Sequence, residues 1–244
     1  MKRIVFTLTA LTLFINAFAD VQITVKDGFG GNSTFSSNGQ LVRIDGQKID
    51  GFIVIDYASG DFFMVDSKQG EVKQASLDQI DATQGAAPLS ITIEDKGDGP
   101  KIAGYLTRKF EMIVSGEGCG TVYASSKLLQ NRDVRAIFES MRNMQEFSSR
   151  IMGGMSGIMP VCQRANMQLA DVIESSGAPL RVVNKGGKML SEVLTVVTDK
   201  KYAADHYALP AGMKVVDMTE QMNQAAQQTQ QMKQMMEQLQ QQQQ

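Results

Sequence analysis

The chain has 244 residues, with 24 basic and 26 acidic side chains and a formal net charge of −2 at pH 7. Charge this balanced gives no source for the electrostatic attraction that drives nucleic-acid binding. It also gives no reason to expect strong attraction to anionic lipid headgroups. The length fits one large domain, or a domain with an appendage.

The N-terminal residues have the three parts of a secretory signal peptide. Lys2-Arg3 precedes an apolar run over residues 4–15 and the sequence Ala17-Phe18-Ala19. The run is shorter than the roughly twenty apolar residues that span a bilayer, and a buried helix or membrane anchor fits the pattern less well. We expect cleavage between Ala19 and Asp20, which changes the charge from −2 to −4 because Lys2 and Arg3 are lost. With no later membrane segment, the sequence predicts a soluble periplasmic protein.

The pattern of short apolar segments and turns over residues 21–123 predicts an antiparallel meander of strands. Val21-Gln22-Ile23-Thr24-Val25 alternates apolar and polar side chains, which is typical of a half-buried strand. Glycine-rich turns separate the segments, one of them at residues 116–120, and a short helix is predicted at residues 76–82. The further predicted strands cover residues 40–44, 52–57, 62–65, 91–93, 105–115 and 121–123.

The periodicity becomes helical after residue 125. Apolar residues recur at steps of three and four, which predicts an amphipathic helix that ends at Gly153-Gly154. The residues of this face are Val134, Ile137, Phe138, Met141, Met144 and Ile151. A second helix is predicted over residues 161–174, and residues 180–183 and 192–198 predict a hairpin around Gly186-Gly187. Strands followed by helices and strands indicate an α+β fold with helices packed on one side of the sheet.

The composition changes after Val216. Of the 28 residues from 217 to 244, 13 are Gln and 5 are Met. Apolar or small residues in this tail step by four and three, which predicts a coiled-coil seam over three heptads. The tail is therefore expected to be a self-associating helix, an arm that packs on the domain, or a disordered segment. The seam residues are Met218, Met222, Ala225, Thr229, Met232, Met236 and Leu239.

Two cysteines, Cys119 and Cys162, remain in the exported chain. Two thiols on a secreted protein most often pair, so we expect a structural disulfide, with buried free thiols as the alternative. The single histidine, His206, has no metal-ligand spacing around it and is expected to be an ordinary surface or edge residue. The sequence therefore predicts no catalytic, cofactor-binding or metal-binding residues.

Met152, Met155 and Met159 step by three and four near the end of the first helix. Thioethers can hold Cu(I), but no histidine or cysteine supports the spacing. Flexible apolar side chains of this kind also suit adaptable contact surfaces. We therefore predict that these three residues form an apolar contact surface.

Several short motifs together carry a family resemblance. The motifs are Met64-Val65-Asp66 with Asp78, Ile102-Ala103-Gly104-Tyr105, Gly177-Ala178-Pro179-Leu180-Arg181 and Leu209-Pro210-Ala211-Gly212. Their order and spacing resemble those of the exported bacterial proteins of the domain of unknown function 4412. That family is similar to periplasmic lipoprotein carriers of the LolA type. The resemblance implies a curved, unclosed antiparallel half-barrel around helices, with a face that can hold acyl chains. It carries over no catalytic residues.

These observations lead to a domain at residues 20–216 and a helical or disordered tail at residues 217–244. We predict a non-enzymatic periplasmic protein that binds an apolar ligand such as a lipid, a lipoprotein or another envelope protein. The alternative is an assembly module that forms homo-oligomers through its tail. A hydrolase is a third and weaker hypothesis, because the sequence shows no nucleophile–base arrangement.

Overall fold

The structure is a computed structural model, and it describes residues 20–47, 50–76, 79, 89–156, 159–167 and 176–242. Within these residues twelve strands join into one sheet. The first six are β1 (Asp20–Asp27), β2 (Asn32–Ser37), β3 (Leu41–Gly46), β4 (Gly51–Asp56), β5 (Asp61–Asp66) and β6 (Glu71–Ser76). The others are β7 (Ile91–Asp98), β8 (Arg108–Val114), β9 (Glu117–Ser125), β10 (Ala178–Asn184), β11 (Met189–Lys200) and β12 (Lys214–Asp217).

The sheet is open and almost wholly antiparallel. Its strand order is β12-β6-β5-β4-β3-β2-β1-β11-β10-β9-β8-β7, so β1 and β11 pair near its centre. Consecutive strands pair in hairpins from β1 to β6 and from β7 to β9, as expected for a meander. The exception is β12, which runs parallel to β6.

Three α-helices longer than one turn lie in the described residues. They are α1 (Arg132–Ser156), α2 (Val161–Met167) and α3 (Thr219–Gln242), and a 3₁₀ helix at Leu128–Gln130 precedes α1. Packing contacts join α1 to β1, β2 and β3, join α2 to β8 and β9, and join α3 to α1 and β6. Among the described residues, no helix combines the length and the apolar character that crossing a bilayer requires.

Helices α1 and α2 cover the same face of the sheet, which we call the inner face. Met112 on β8 packs with Ala165 of α2, and Ile23 on β1 packs in the cluster beneath α1. Side chains that are directly opposed on neighbouring strands point to the same face of the sheet. One row of such side chains connects β8, which lies beneath α2, with β1, which lies beneath α1. The row runs through Phe110, Val122, Val182, Ser191 and Asp27. The predicted α+β fold with helices on one side is therefore correct at this level.

A connecting segment crosses the opposite, outer face of the sheet. Strand β11 ends beside β1, whereas β12 pairs with β6, so residues 201–213 pass over the strands from β1 to β6. Six strands span about 29 Å at about 4.8 Å each, which thirteen extended residues can cover. We call residues 201–213 the strap.

Several sequence predictions need correction. Strand β8 begins at Arg108 and not at residue 105, because Ile102 and Tyr105 exchange two backbone hydrogen bonds of 2.9 and 2.8 Å in a tight turn. Residues 117–120 belong to β9, and the turn before it comprises Ser115 and Gly116. Helix α1 continues through Gly153-Gly154 to Ser156, because two glycines lower helix stability by only about 1 kcal/mol each.

Other predictions fall partly outside the described residues. The signal peptide at residues 1–19 lies outside them, and so does most of the helix predicted at residues 76–82, although Ser76 ends β6. The second helix is described only as far as Met167. The predicted domain boundary after Val216 lies inside β12, one residue before the strand ends.

Candidate functional site: the inner face

The first half of α1 is anchored firmly on the inner face. The Asn131 side chain caps the helix by accepting hydrogen bonds from the backbone N–H groups of Asp133 and Val134, at 2.9 and 3.1 Å. Val134, Ile137 and Phe138 are buried, as the apolar periodicity predicts. They pack with apolar side chains of the first four strands, among them Ile23, Phe35, Ile44 and Ile53. This cluster is the largest apolar core in the described residues.

Apolar side chains at the margin of this core are only partly buried. Phe62 and Met64 on β5 and Met141 and Met144 on α1 pack against the core cluster while keeping some exposure, and Val25 on β1 does the same. Flexible thioethers at a half-covered apolar surface can adapt to guests of different shapes. We call these five residues the inner rim. Other partly buried apolar side chains, among them Tyr105 and Val196, border the same cluster.

The disulfide prediction is confirmed. Cys119 on β9 and Cys162 on α2 are bonded, with their Cα atoms 4.9 Å apart. Cys119 is fully buried, and Ala165 packs in the same cluster with Met112 and Val114. The bond therefore fastens the short helix α2 to the inner face at the end of the sheet opposite α3.

The predicted methionine contact surface is only partly described. Met152 and Met155 lie on the last two turns of α1, where nothing is described of the side chains. Met159 lies in the link to α2 and is partly buried. The role of the three residues as a contact surface stays a prediction.

The strap is held on the outer face by a row of opposed side chains. Gln22, Ser36 and Arg43 face one another across β1, β2 and β3. Tyr202 donates to Gln22 Oε1 at 2.8 Å, His206 Nε2 lies 2.9 Å from Ser36 Oγ, and Arg43 donates to the His206 carbonyl at 2.7 Å. Tyr207 donates to Asp20 Oδ2 at 3.2 Å. We call this cluster the clasp, comprising Asp20, Gln22, Ser36, Arg43, Tyr202, His206 and Tyr207.

The aromatic rings of the clasp pack closely. The Tyr202 and His206 rings are stacked with their centroids 3.7 Å apart, and Tyr207 meets His206 edge-on at 4.8 Å. Burial, followed by the charge of Asp20, raises the pKa of Tyr207, so its hydroxyl stays protonated and remains a donor. His206 is therefore part of a packed cluster, whereas the sequence predicted an ordinary surface or edge residue.

Burial lowers the pKa of His206 from 6.5, and the Arg43 charge lowers it further. The unfolded chain therefore binds this proton more tightly than the folded protein does. We expect the stability that depends on neutral His206 to be complete above about pH 6.5 and to be lost as the pH falls through the folded-state pKa. Urea unfolding at pH 7.5 and pH 5 should show a larger loss for the wild type than for His206→Gln. Equal losses in the two proteins would contradict the prediction.

The Ser36–His206 pair has the atoms of a nucleophile and a general base. Ser36 is 1% exposed, and the His206 ring is covered by Tyr202, so a substrate cannot reach the serine oxygen in this arrangement. The pair is best understood as a structural contact that fixes the strap. In the part of the chain that the structure describes, no three His, Cys, Asp or Glu side chains are placed to hold a metal ion.

No protein-family model matches the chain, and no curated protein is significantly similar to it. The solved structures that share a distant likeness include a crystal structure of MucB and the complex of MucA and MucB from Pseudomonas aeruginosa. Each is 11% identical with a TM-score of 0.37, and the matches cover 81% and 82% of this chain. The matches cover 60% and 58% of the chains in those structures. Likenesses this distant say nothing about what the chain binds.

Sequence reasoning located the apolar face of α1 but missed the clasp. Its members come from residues 20–43 and 202–207, and Ser36 and His206 are 170 positions apart. Polar residues that meet only in the folded chain leave no local pattern. The one available signal was the combination of two tyrosines with the only histidine between residues 202 and 207.

Proposed function

We propose that this chain is an exported periplasmic protein that binds an apolar ligand, or an apolar segment of an envelope protein, on its inner face. The observation that carries the proposal is the inner rim, where apolar side chains continue the core but stay partly exposed. The proposal includes non-enzymatic action, a LolA-like half-barrel and membership of the domain of unknown function 4412 family. The motifs that resemble that family support these points.

The direct test is native mass spectrometry of the protein after gentle extraction from cells. We expect a co-purifying lipid, lipopeptide or protein segment to add mass. The second test is titration of the purified protein with a dansyl-labelled fatty acid. Binding with the probe displaced by unlabelled fatty acid is the expected result. The absence of both a bound molecule and probe binding would refute ligand carriage.

Variants of the inner rim locate the binding. Met141→Lys should weaken probe binding by at least about tenfold, because an ammonium group in an apolar site costs more than about 1.4 kcal/mol. Leu106→Lys is the matched control, since Leu106 is 79% exposed and is not among the side chains that pack against the core cluster. Met64→Gln provides a milder second variant whose fold can be checked by circular dichroism. Unchanged affinity in both rim variants would place the site elsewhere.

The second candidate function is assembly through α3. Met232 and Met235 on this helix are 49% and 63% exposed, which leaves apolar side chains available to another copy. Against this, Met222 and Ala225 near the start of the helix are partly buried, and α3 packs along α1 of its own chain. The predicted coiled coil therefore stays a prediction, and the described contacts are those of an arm.

Deletion from Met218 onward separates these two functions. If α3 mediates assembly, light scattering should show an oligomer for the mature protein and a monomer for the truncated one. If α3 is instead an arm beside the inner face, both proteins should be monomers, and their measured masses should differ only by the mass of the deleted segment. Probe affinity should then change instead, because part of α1 loses its cover.

A further inference from the structure

The strap passes over apolar side chains on the outer face of the sheet. Val54 directly opposes Arg43 of the clasp, so it points to the outer face. Val65 and Val72 oppose each other on β5 and β6, and Val65 also opposes Phe52, two residues from Val54 on β4. The three valines are at most 2% exposed, although α1 and α2 lie on the other face. Among the described segments the strap crosses this part of the outer face, which accounts for their burial.

The strap leads directly into β12 and α3. Each residue of β12 pairs with β6. The Met218 N–H donates to the Gln74 carbonyl at 2.8 Å. The Asp217 carboxylate then caps α3 by accepting a hydrogen bond from the Thr219 N–H at 2.8 Å. The end of the strap therefore sets where α3 begins.

Residues 201–242 wrap around one edge of the sheet. The strap lies on the outer face, β12 is the last strand at the β6 edge, and α3 packs on α1 at the inner face. None of the α3 side chains that the structure describes is fully buried. Because most of the stability of a protein helix comes from its packing, α3 depends on the strap and β12 to keep it in place.

The clasp is the polar anchor of this whole segment. It joins the strap to β1, β2 and β3 through the hydrogen bonds and ring contacts of Tyr202, His206 and Tyr207. These contacts break whenever the strap leaves the sheet. Contacts that break only when a segment opens add to the free energy of that opening.

We propose that the strap, β12 and α3 open as one cooperative unit, so that the clasp on the outer face controls how often α1 is uncovered on the inner face. Helix α1 carries Met141 and Met144 of the inner rim, and the consequence for ligand binding rests on the function proposed above. A ligand that reaches the inner rim only after α3 has left is bound more weakly, in proportion to the small fraction of open molecules. The clasp on one face of the sheet thereby regulates a site on the other.

Hydrogen exchange of the α3 amides, measured by mass spectrometry at pH 7, tests the common opening. Tyr202→Ala removes the hydrogen bond to Gln22 and the stacked contact with His206. We expect α3 to exchange about tenfold faster in this variant, since a hydrogen bond and an aromatic contact are lost together. Tyr202→Phe keeps the ring and should accelerate the exchange less, by about threefold.

Gly187→Ala is the matched control. It strains the turn between β10 and β11, where an added Cβ meets no atom within 4 Å, and so lowers the stability of the fold without touching the strap. Exchange in α3 should stay at the wild-type rate, because opening of residues 201–242 leaves this turn intact. Unchanged α3 exchange in Tyr202→Ala would refute the common opening, as would equal acceleration in Tyr202→Ala and Gly187→Ala.

Titration with the dansyl-labelled fatty acid tests the control of the inner rim. Tyr202→Ala should bind the probe about tenfold more tightly than the wild type, by the same factor as the acceleration of exchange, and Gly187→Ala should bind it as the wild type does. Faster exchange with unchanged or weaker probe binding would refute this control. If neither the wild type nor any variant binds the probe, ligand carriage fails, whereas the exchange rates still decide whether the segment opens as a unit.

Discussion

Replacing both Cys119 and Cys162 with alanine is expected to lower the free energy of unfolding by about 4 kcal/mol. The bond closes a loop with a sequence separation of 43, and removing it returns that loop's entropy to the unfolded chain. The loop contains all of α1, so the loss affects the helix that forms the inner rim. Urea unfolding followed by circular dichroism measures the change.

The matched control for this prediction is the wild type treated with a reductant. Reduction should lower the unfolding midpoint by nearly the same amount as the double substitution, because both remove the same bond. Reductant should have no effect on the double variant. A midpoint that stays the same in the double variant would show that α2 is held by its apolar contacts with β8 and β9 alone.

Gly177→Ala is expected to cost about 3 kcal/mol or more, through backbone strain and a steric clash together. Gly177 directly precedes β10 with φ +97°, a conformation that side chains rarely adopt. An added Cβ would lie 2.5 Å from the backbone nitrogen of Ser126. The clash cannot be relieved by rotating a side chain, since the atoms next to the added Cβ belong to the main chain of Ser125 and Ser126.

Gly187→Ala is the control for that substitution. Gly187 lies in the turn after β10 with φ +80°, and an added Cβ meets no atom within 4 Å. Its cost should be that of the left-handed conformation alone, about 1 kcal/mol. The difference between the two variants measures the close approach of residues 125–126 to Gly177. Equal costs at both positions would contradict the packing described here.

Strands with clear apolar alternation could be predicted from sequence, whereas polar ones could not. Strand β1 follows the predicted pattern, but β2 has the sequence Asn-Ser-Thr-Phe-Ser-Ser, in which Phe35 is the only large apolar residue. Ser36 is buried because the strap covers it, whereas Ser37 is buried on the inner face and accepts a hydrogen bond from the Gly39 N–H. Strand β12 has only four residues and exists because the strap brings it to β6. Such strands depend on distant contacts and lack a local signal.

The inner rim, too, could be predicted only in part from the sequence. The periodicity of α1 identified Met141 and Met144 as part of an apolar face, because helical spacing alone places them there. It could not show that β5 supplies Phe62 and Met64 to the same margin. That contact depends on strand order, which sequence spacing leaves open.

The pairing of β1 with β11 has a consequence for the order of folding. This pair lies near the centre of the sheet and joins Gln22 to Val197, and Asp20 to Lys200, so most of the chain lies between the partners. Contacts of such high sequence separation form slowly, since a long loop must close before any bond is gained. The centre of the sheet therefore cannot be completed until about 180 further residues are available. A chain built this way stays incompletely folded while it is being made, which is the condition that the proposed export through a narrow channel requires.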